Sequence, residues 1–128
     1  MTKLTGKTVC ELGVCMVVNR LLRSGFSVHM PVVDTGHDVL ASVGSTYWRL
    51  QIKATATQCK NNGHRVNVRR GYHKGGKYSK ATCDALVAVH VVHNIICCVP
   101  IANLAGRKSI AFSSPTNRFS ELRKGGRH

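Results

Sequence analysis

PVVDTGHDVLASVGSTYWRLQIK, residues 31–53, is the stretch whose reading decides the fold. Two runs inside it have strand character. Asp38 to Val43 comes first, and Gly44 and Ser45 then supply turn chemistry. The second runs from Tyr47 to Ile52, with Tyr47, Arg49 and Gln51 alternating against Trp48, Leu50 and Ile52. Successive side chains of a strand point to opposite faces. Gln51 and Lys53 therefore share a face and flank Ile52, which points into a core. Asp38 opens the neighbouring antiparallel strand and lies close to Gln51 and Lys53 if the hairpin pairs in the expected register. A carboxylate, an amide oxygen and an ammonium converging at a strand end suit phosphodiester cleavage. The acid holds a hard divalent cation, the amide oxygen adds a neutral ligand, and the lysine orients or deprotonates water.

Charge points to the same chemistry. The chain of 128 residues carries 19 Lys+Arg against 5 Asp+Glu, a formal charge of +14. That length suits one domain with a single core, residues 1–128, rather than two. The basic excess implies a polyanionic partner, because neutralised phosphates release condensed counterions. A membrane surface is the rival partner. No run of about 18 apolar residues could span a bilayer, and no secretory signal pattern is seen. The acids are informative because they are scarce: Glu11, Asp34, Asp38, Asp84 and Glu121. An acid kept among strand residues in so basic a chain points to a specific task for Asp38. The cysteines, at 10, 15, 59, 83, 97 and 98, form no C-x-x-C pair. Cys97 and Cys98 are adjacent in an apolar run, so they diverge on a strand and read as small core residues. Reduced thiols and a cytoplasmic location are expected.

From the N-terminus, a polar tail, Met1 to Lys7, leads into apolar residues at helical spacing: Val9, Leu12, Cys15, Met16, Val18, Leu21 and Leu22. Ser24-Gly25 ends this helix. Glu11 sits in its first turns, either complementing the helix dipole or aimed across at Asp38. Phe26 to Val33 reads as a strand whose end is demoted by Pro31. Asp34 to His37 is a tight connection into Asp38, and His37 reads as a solvated turn residue.

Beyond Lys53 the character changes. Ala54 to Lys80 gathers Lys60, Arg65, Arg69, Arg70, Lys74, Lys77 and Lys80 among Gly63, Gly71, Gly75 and Gly76. Arg65 to Arg69 alternates and suits a short strand or hairpin arm. This segment is the expected contact to backbone phosphates, with Tyr72 or Tyr78 free to stack or hydrogen-bond. A solvated basic loop is the bland alternative. Next, Asp84 to His93 and Asn94 to Pro100 form a hairpin of β-branched strands turning at His93-Asn94. Such continuous apolar runs suit strands buried on both faces. His90 and His93 read as strand-end and turn residues, since their spacing points them apart on a strand. Ile101 to Ala105 suits a short helix, Arg107 to Phe112 an edge strand, and Phe119 to Leu122 a helical turn. Residues 113–128 form a basic tail in which Arg123, Lys124 and Arg127 are expected to be mobile.

With Glu11 on the first helix, Asp38 heading the second strand and Gln51-Ile52-Lys53 closing the third, the chain resembles the PD-(D/E)XK nuclease superfamily. The context Gly36-His37-Asp38-Val39-Leu40, followed by Leu50-Gln51-Ile52-Lys53-Ala54-Thr55, is most similar to the PD-(D/E)XK homing endonucleases of cyanobacterial group I introns. In that branch a Q-x-K is common. A tyrosine, an Asp before an apolar strand and a strand ending in Ile/Val-Pro follow it; Tyr78, Asp84 and Val99-Pro100 fit that order. The resemblance covers residues 6–105. Two positions depart from the superfamily pattern. His37 stands where its name places a proline, and Gln51 replaces the usual acid, which lowers the negative charge at the metal.

The resemblance implies an α/β (α+β) restriction-endonuclease-like core, a mixed sheet of about four to five strands flanked by helices. It implies a Mg²⁺-dependent DNA endonuclease, with Mn²⁺ able to substitute, making site-specific double-strand cuts. Asp38 would ligate the metal, the Gln51 oxygen would complete the shell, Glu11 would ligate directly or through water, and Lys53 would position the attacking water. A homo-oligomer, dimer or tetramer, is implied because two strands need two sites. A Holliday-junction resolvase shares the fold and motifs. A non-catalytic nucleic-acid-binding protein that keeps the fold is the reading from another class.

Overall fold

The computed structural model describes residues 4–33, 37–57, 64–67, 69–70, 76–77, 83–104, 109–112, 119 and 127 of the chain. Helix α1 spans Gly6–Arg23. Thr5 caps it, its hydroxyl accepting from the Thr8 N–H at 3.1 Å. At the other end Gly25, at φ +90, lets the chain reverse. Gly25 N then donates to Leu22 O and Phe26 N to Leu21 O, the two bonds of a Schellman motif. The motif also places Phe26 in the core beside Leu21.

Val9, Gly13, Val17 and Leu21, spaced by four, form the buried stripe of α1. Gly13 is the point of closest approach to the sheet. A Cβ built there would lie 2.6 Å from the Ala54 Cβ, so only glycine allows this separation.

The strands follow in order. They are β1 (Ser27–His29), β2 (Val39–Val43), β3 (Thr46–Thr55), β4 (His64–Asn67), β5 (Arg69–Arg70), β6 (Gly76–Lys77), β7 (Ala85–His90), β8 (Ile95–Pro100) and β9 (Ser109–Phe112). A 3-10 turn, Ile101–Leu104, follows β8. Five strands make the main sheet in the order β1-β2-β3-β7-β8. The β3–β7 pair is parallel and the other three are antiparallel. The expected mixed α+β sheet is therefore present, with α1 on one face.

Alternation sorts the core into two layers. Trp48, Leu50, Ile52, Ala85, Val87 and Val89 join Val17, Leu21 and Phe26 on the α1 side. Leu86 and Ala88 pack with Cys83, Ile101 and Leu104 on the other. β7 is buried along its whole length, as expected for a central strand covered on both faces.

Several details differ from expectation. The strand expected over Phe26–Val33 is only three residues long, and Met30, Val32 and Val33 are exposed. Pro31 lacks the N–H that would extend the ladder. β8 is the outer strand and only Ile96 within it is fully buried. β9 pairs with β4, Val66 opposite Ile110, and so is not an edge of the main sheet. His93 does not point away from His90. The turn after β7, with Asn94 at φ 55, folds its ring to 4.6 Å from that of His90. His93 N also donates to His90 Nδ1.

The expectation of a mobile tail is corrected at Arg127. Phe119 is buried against Phe26, and Arg127 forms a β-bridge to Tyr47. Arg123 and Lys124 lie outside the described residues. Cys97 and Cys98 do diverge, one to each core layer, and burial pushes the Cys98 thiol up to about 12. No described helix is long and apolar enough to cross a membrane.

Candidate active site

The β2–β3 hairpin delivers the candidate residues. Its turn, Gly44-Ser45, has positive φ at Gly44 alone, the φ signature of a type II′ turn. The register runs from Val43 opposite Thr46 to Val39 opposite Leu50. One step further, Asp38 is bonded to Leu50 and Ile52 of β3. Asp38 N donates to Leu50 O at 2.8 Å, and Asp38 Oδ2 accepts from Ile52 N at 2.9 Å. The carboxylate therefore takes the ladder position that a backbone carbonyl would fill, fixed against β3.

Ile52 and Ala54 face α1 across Gly13. Gln51 and Lys53 alternate to the other side, each level with a β7 residue, Leu86 and Ala88 respectively. Asp38 is thus fixed at the N–H of Ile52, which in sequence lies between Gln51 and Lys53, and Asp38, Gln51 and Lys53 are all half-buried.

Their donor set fits a hard cation. It offers one carboxylate and one amide oxygen. Among the described residues no group of three or more His, Cys, Asp or Glu converges. A small divalent cation here would keep water ligands and draw on substrate oxygens, which is how Mg²⁺ sits in phosphoryl-transfer sites.

Glu11 is not brought to this face. At about 100° per residue it lies roughly 160° round α1 from Val9 and Gly13. Its side chain is 64% exposed and 4.0 Å from Lys7 Nζ. It is also the sixth residue of α1, past the first turn. Because Gly13 meets Ala54, Glu11 lies toward the Lys53 end of β3, on the opposite side of the sheet.

A charge cluster adjoins the site. Asp84 Oδ2 accepts from Arg49 N at 2.7 Å and Arg49 Nε at 3.2 Å. Its Oδ1 accepts from the Arg49 terminal nitrogen at 3.2 Å and Arg127 Nε at 2.6 Å. Burial alone would raise the Asp84 pKa, but these Arg49 and Arg127 bonds outweigh it and hold the carboxyl below its ordinary value. The bond to Asp84 raises the Arg49 pKa in turn. Burial and the Arg49 charge depress His37, against the opposing pull of Asp38 and Asp84. His37 is half-buried rather than a fully solvated turn residue. Sequence reasoning had Asp84 only as part of a family pattern. The signals for its partner were the scarcity of acids and its seat just before an apolar strand.

In the basic segment, Arg65 lies on β4, Arg69 and Arg70 on β5, and Lys77 on β6. β5 and β6 pair, Arg69 opposite Lys77. Lys60, Lys74, Lys80, Tyr72 and Tyr78 lie outside the described residues.

A five-stranded mixed sheet with a helix on one face is an α+β fold. The solved structure of a bacterial homing endonuclease, I-Ssp6803I, matches with a TM-score of 0.71 and 17% identity. The match covers 88% of this chain and 78% of that one. No family model and no curated protein matches. At that identity the likeness is one of fold.

Proposed function

We propose that this chain is a Mg²⁺-dependent DNA endonuclease of the PD-(D/E)XK type, making site-specific double-strand cuts as a homo-oligomer. The observation that carries the reading is the Asp38 carboxylate fixed to the Ile52 N–H, between Gln51 and Lys53 on β3. The fold of a homing endonuclease and a charge of +14 support it.

Asp38 and Gln51 would hold the cation, and Lys53, two residues beyond Gln51 on the same strand, would orient the attacking water. The bound cation supplies Lewis acidity at the phosphoryl oxygen and lowers the pKa of bound water. Glu11, exposed beside Lys7 on the outer side of α1, takes no ligand role in this reading, and Glu11→Gln should nick as wild type does. Lys60, Arg65, Arg69, Arg70, Lys74, Lys77 and Lys80 follow the backbone phosphates. Two strands require two such sites, hence the oligomer.

Nicking of supercoiled plasmid tests this, with and without Mg²⁺, for wild type, Asp38→Asn, Lys53→Ala and Glu11→Gln. Asparagine suits position 38 because it keeps an oxygen acceptor for the Ile52 N–H while removing the charge. Asp38→Asn and Lys53→Ala should lose cleavage yet bind duplex DNA as wild type does, because they act on the reacting phosphate. Near wild-type nicking by pure Asp38→Asn protein sinks the assignment. Cleavage of branched in preference to linear duplex moves the reading to a junction resolvase.

A further inference from the structure

We propose that Arg127 is a positioning residue for the Asp38–Gln51–Lys53 site, acting through Asp84 and Arg49; the inference rests on the nuclease reading above. β7 begins to pair with β3 only at Leu50 opposite Ala85. The start of β3, at Tyr47, is instead paired by Arg127. Tyr47 N donates to Arg127 O and Arg127 N to Tyr47 O, both at 2.8 Å. Arg127 therefore stands where the ladder to β7 has not yet begun.

Its side chain then reaches Asp84, whose carboxylate is only 10% exposed, at 2.6 Å. Asp84 is clamped to Arg49 from both sides. It takes the Arg49 backbone N–H and guanidinium, and its own N–H donates to Arg49 O at 2.7 Å. Arg49 shares the face of Gln51, two residues on, and pairs across the hairpin with Leu40, two residues from Asp38. The chain of contacts thus runs from Arg127 to the strand that delivers Gln51 and Lys53.

Arg127 fixes one carboxylate oxygen so that Asp84 presents the other to the β3 backbone. Without it, Asp84 can follow the Arg49 guanidinium, and β3 is held less firmly on its β7 side at Arg49. The Asp38 carboxylate is bonded at Ile52 N, so its place beside Gln51 follows the position of β3. Displacements of about 1 Å at a reacting centre cost about a hundredfold in rate, so even partial loosening is measurable.

The test compares Arg127→Ala and Arg127→Lys with wild type. Supercoiled plasmid is nicked with Mg²⁺ under enzyme excess, giving a limiting rate and a half-saturating protein concentration. A parallel ¹H–¹⁵N spectrum follows the Ile52 amide, which donates to Asp38. For Arg127→Ala we expect a limiting rate lower by about tenfold, with half-saturation within about twofold of wild type. The Ile52 amide should move. Arg127→Lys, which keeps a donor toward Asp84, should recover most of both.

An unchanged limiting rate overturns the proposal. So does a loss confined to half-saturation, which makes Arg127 a DNA contact. If the wild-type protein does not nick DNA, the nuclease reading fails by itself. The amide then decides the coupling: shifted in Arg127→Ala and restored in Arg127→Lys upholds it, and unmoved in both overturns it.

Discussion

Replacing Gly13 with alanine puts a methyl group at the contact on which the placement of α1 over β3 depends. The new Cβ would fall 2.6 Å from the Ala54 Cβ and 3.8 Å from both the Ala54 Cα and the Ile52 Cγ2. Carbon atoms rest about 3.5–4.0 Å apart, so the first contact is short by about 1 Å. Both methyls are fixed to backbone, and no side-chain torsion relieves them. Either the helix lifts or the strand bows. Overpacking of this kind costs about 1–3 kcal/mol. Alanine recovers about 1 kcal/mol through its better helix propensity. The net expectation is a loss of up to about 2 kcal/mol. Urea unfolding followed by the fluorescence of Trp48, the one tryptophan and 97% buried by its 3% exposure, measures it. Gly6→Ala is the control, because nothing lies within 4 Å of its Cβ. It should be neutral or slightly stabilising. Adding Ala54→Gly to Gly13→Ala removes one of the two opposed methyls, so the double-mutant cycle should show favourable coupling of about 1–3 kcal/mol. A Gly13→Ala protein more stable than wild type, or a cycle with no coupling, refutes the close approach.

Three further outcomes are expected. Gln51→Glu should retain cleavage and lower the Mg²⁺ concentration it requires, because a carboxylate replaces a neutral oxygen; a metal titration with unchanged midpoint puts Gln51 outside the metal shell. Arg69→Ala with Arg70→Ala should weaken binding to all duplexes alike and flatten the plot of log affinity against log salt by somewhat under about two units, since each phosphate contact contributes about 0.9. An unchanged slope removes these arginines from the interface, and a loss on one sequence alone means they read bases. The third outcome concerns acid. The folded pKa of Asp84 lies below the ordinary 3.8, so its contribution to stability is complete above that value. It is lost as pH falls through the folded pKa. Urea midpoints should therefore drop below about pH 4, and Asp84→Asn should flatten that limb; an identical limb in the variant shows that other carboxylates set it.

The hairpin was legible because two local rules agree on it. Period-two alternation over Tyr47–Ile52 and turn residues at Gly44-Ser45 fix both the strands and the turn between them. That register alone places Gln51 and Lys53 on one face and Asp38 at the head of the neighbouring strand. The first helix was legible from its apolar spacing and its Ser24-Gly25 stop. The site around these residues was less so. Alternation says that Gln51 opposes Ile52, but not which face the helix will cover. Once Gly13 docks on Ala54, Glu11 falls on the outer side of α1.

The sequence by itself determined the first helix, the β2–β3 hairpin and a formal charge of +14. Each rests on neighbours within one hairpin, one helix or the summed charge, where period and composition suffice. Only the tertiary structure decided the parallel pairing of β3 with β7, the partnership of β4 with β9, and the return of Arg127 to Tyr47 and Asp84. Those contacts join residues tens of positions apart. Their pairing is selected by packing of the whole sheet and by the demand that a carboxylate only 10% exposed meet cationic donors, and no local period encodes either.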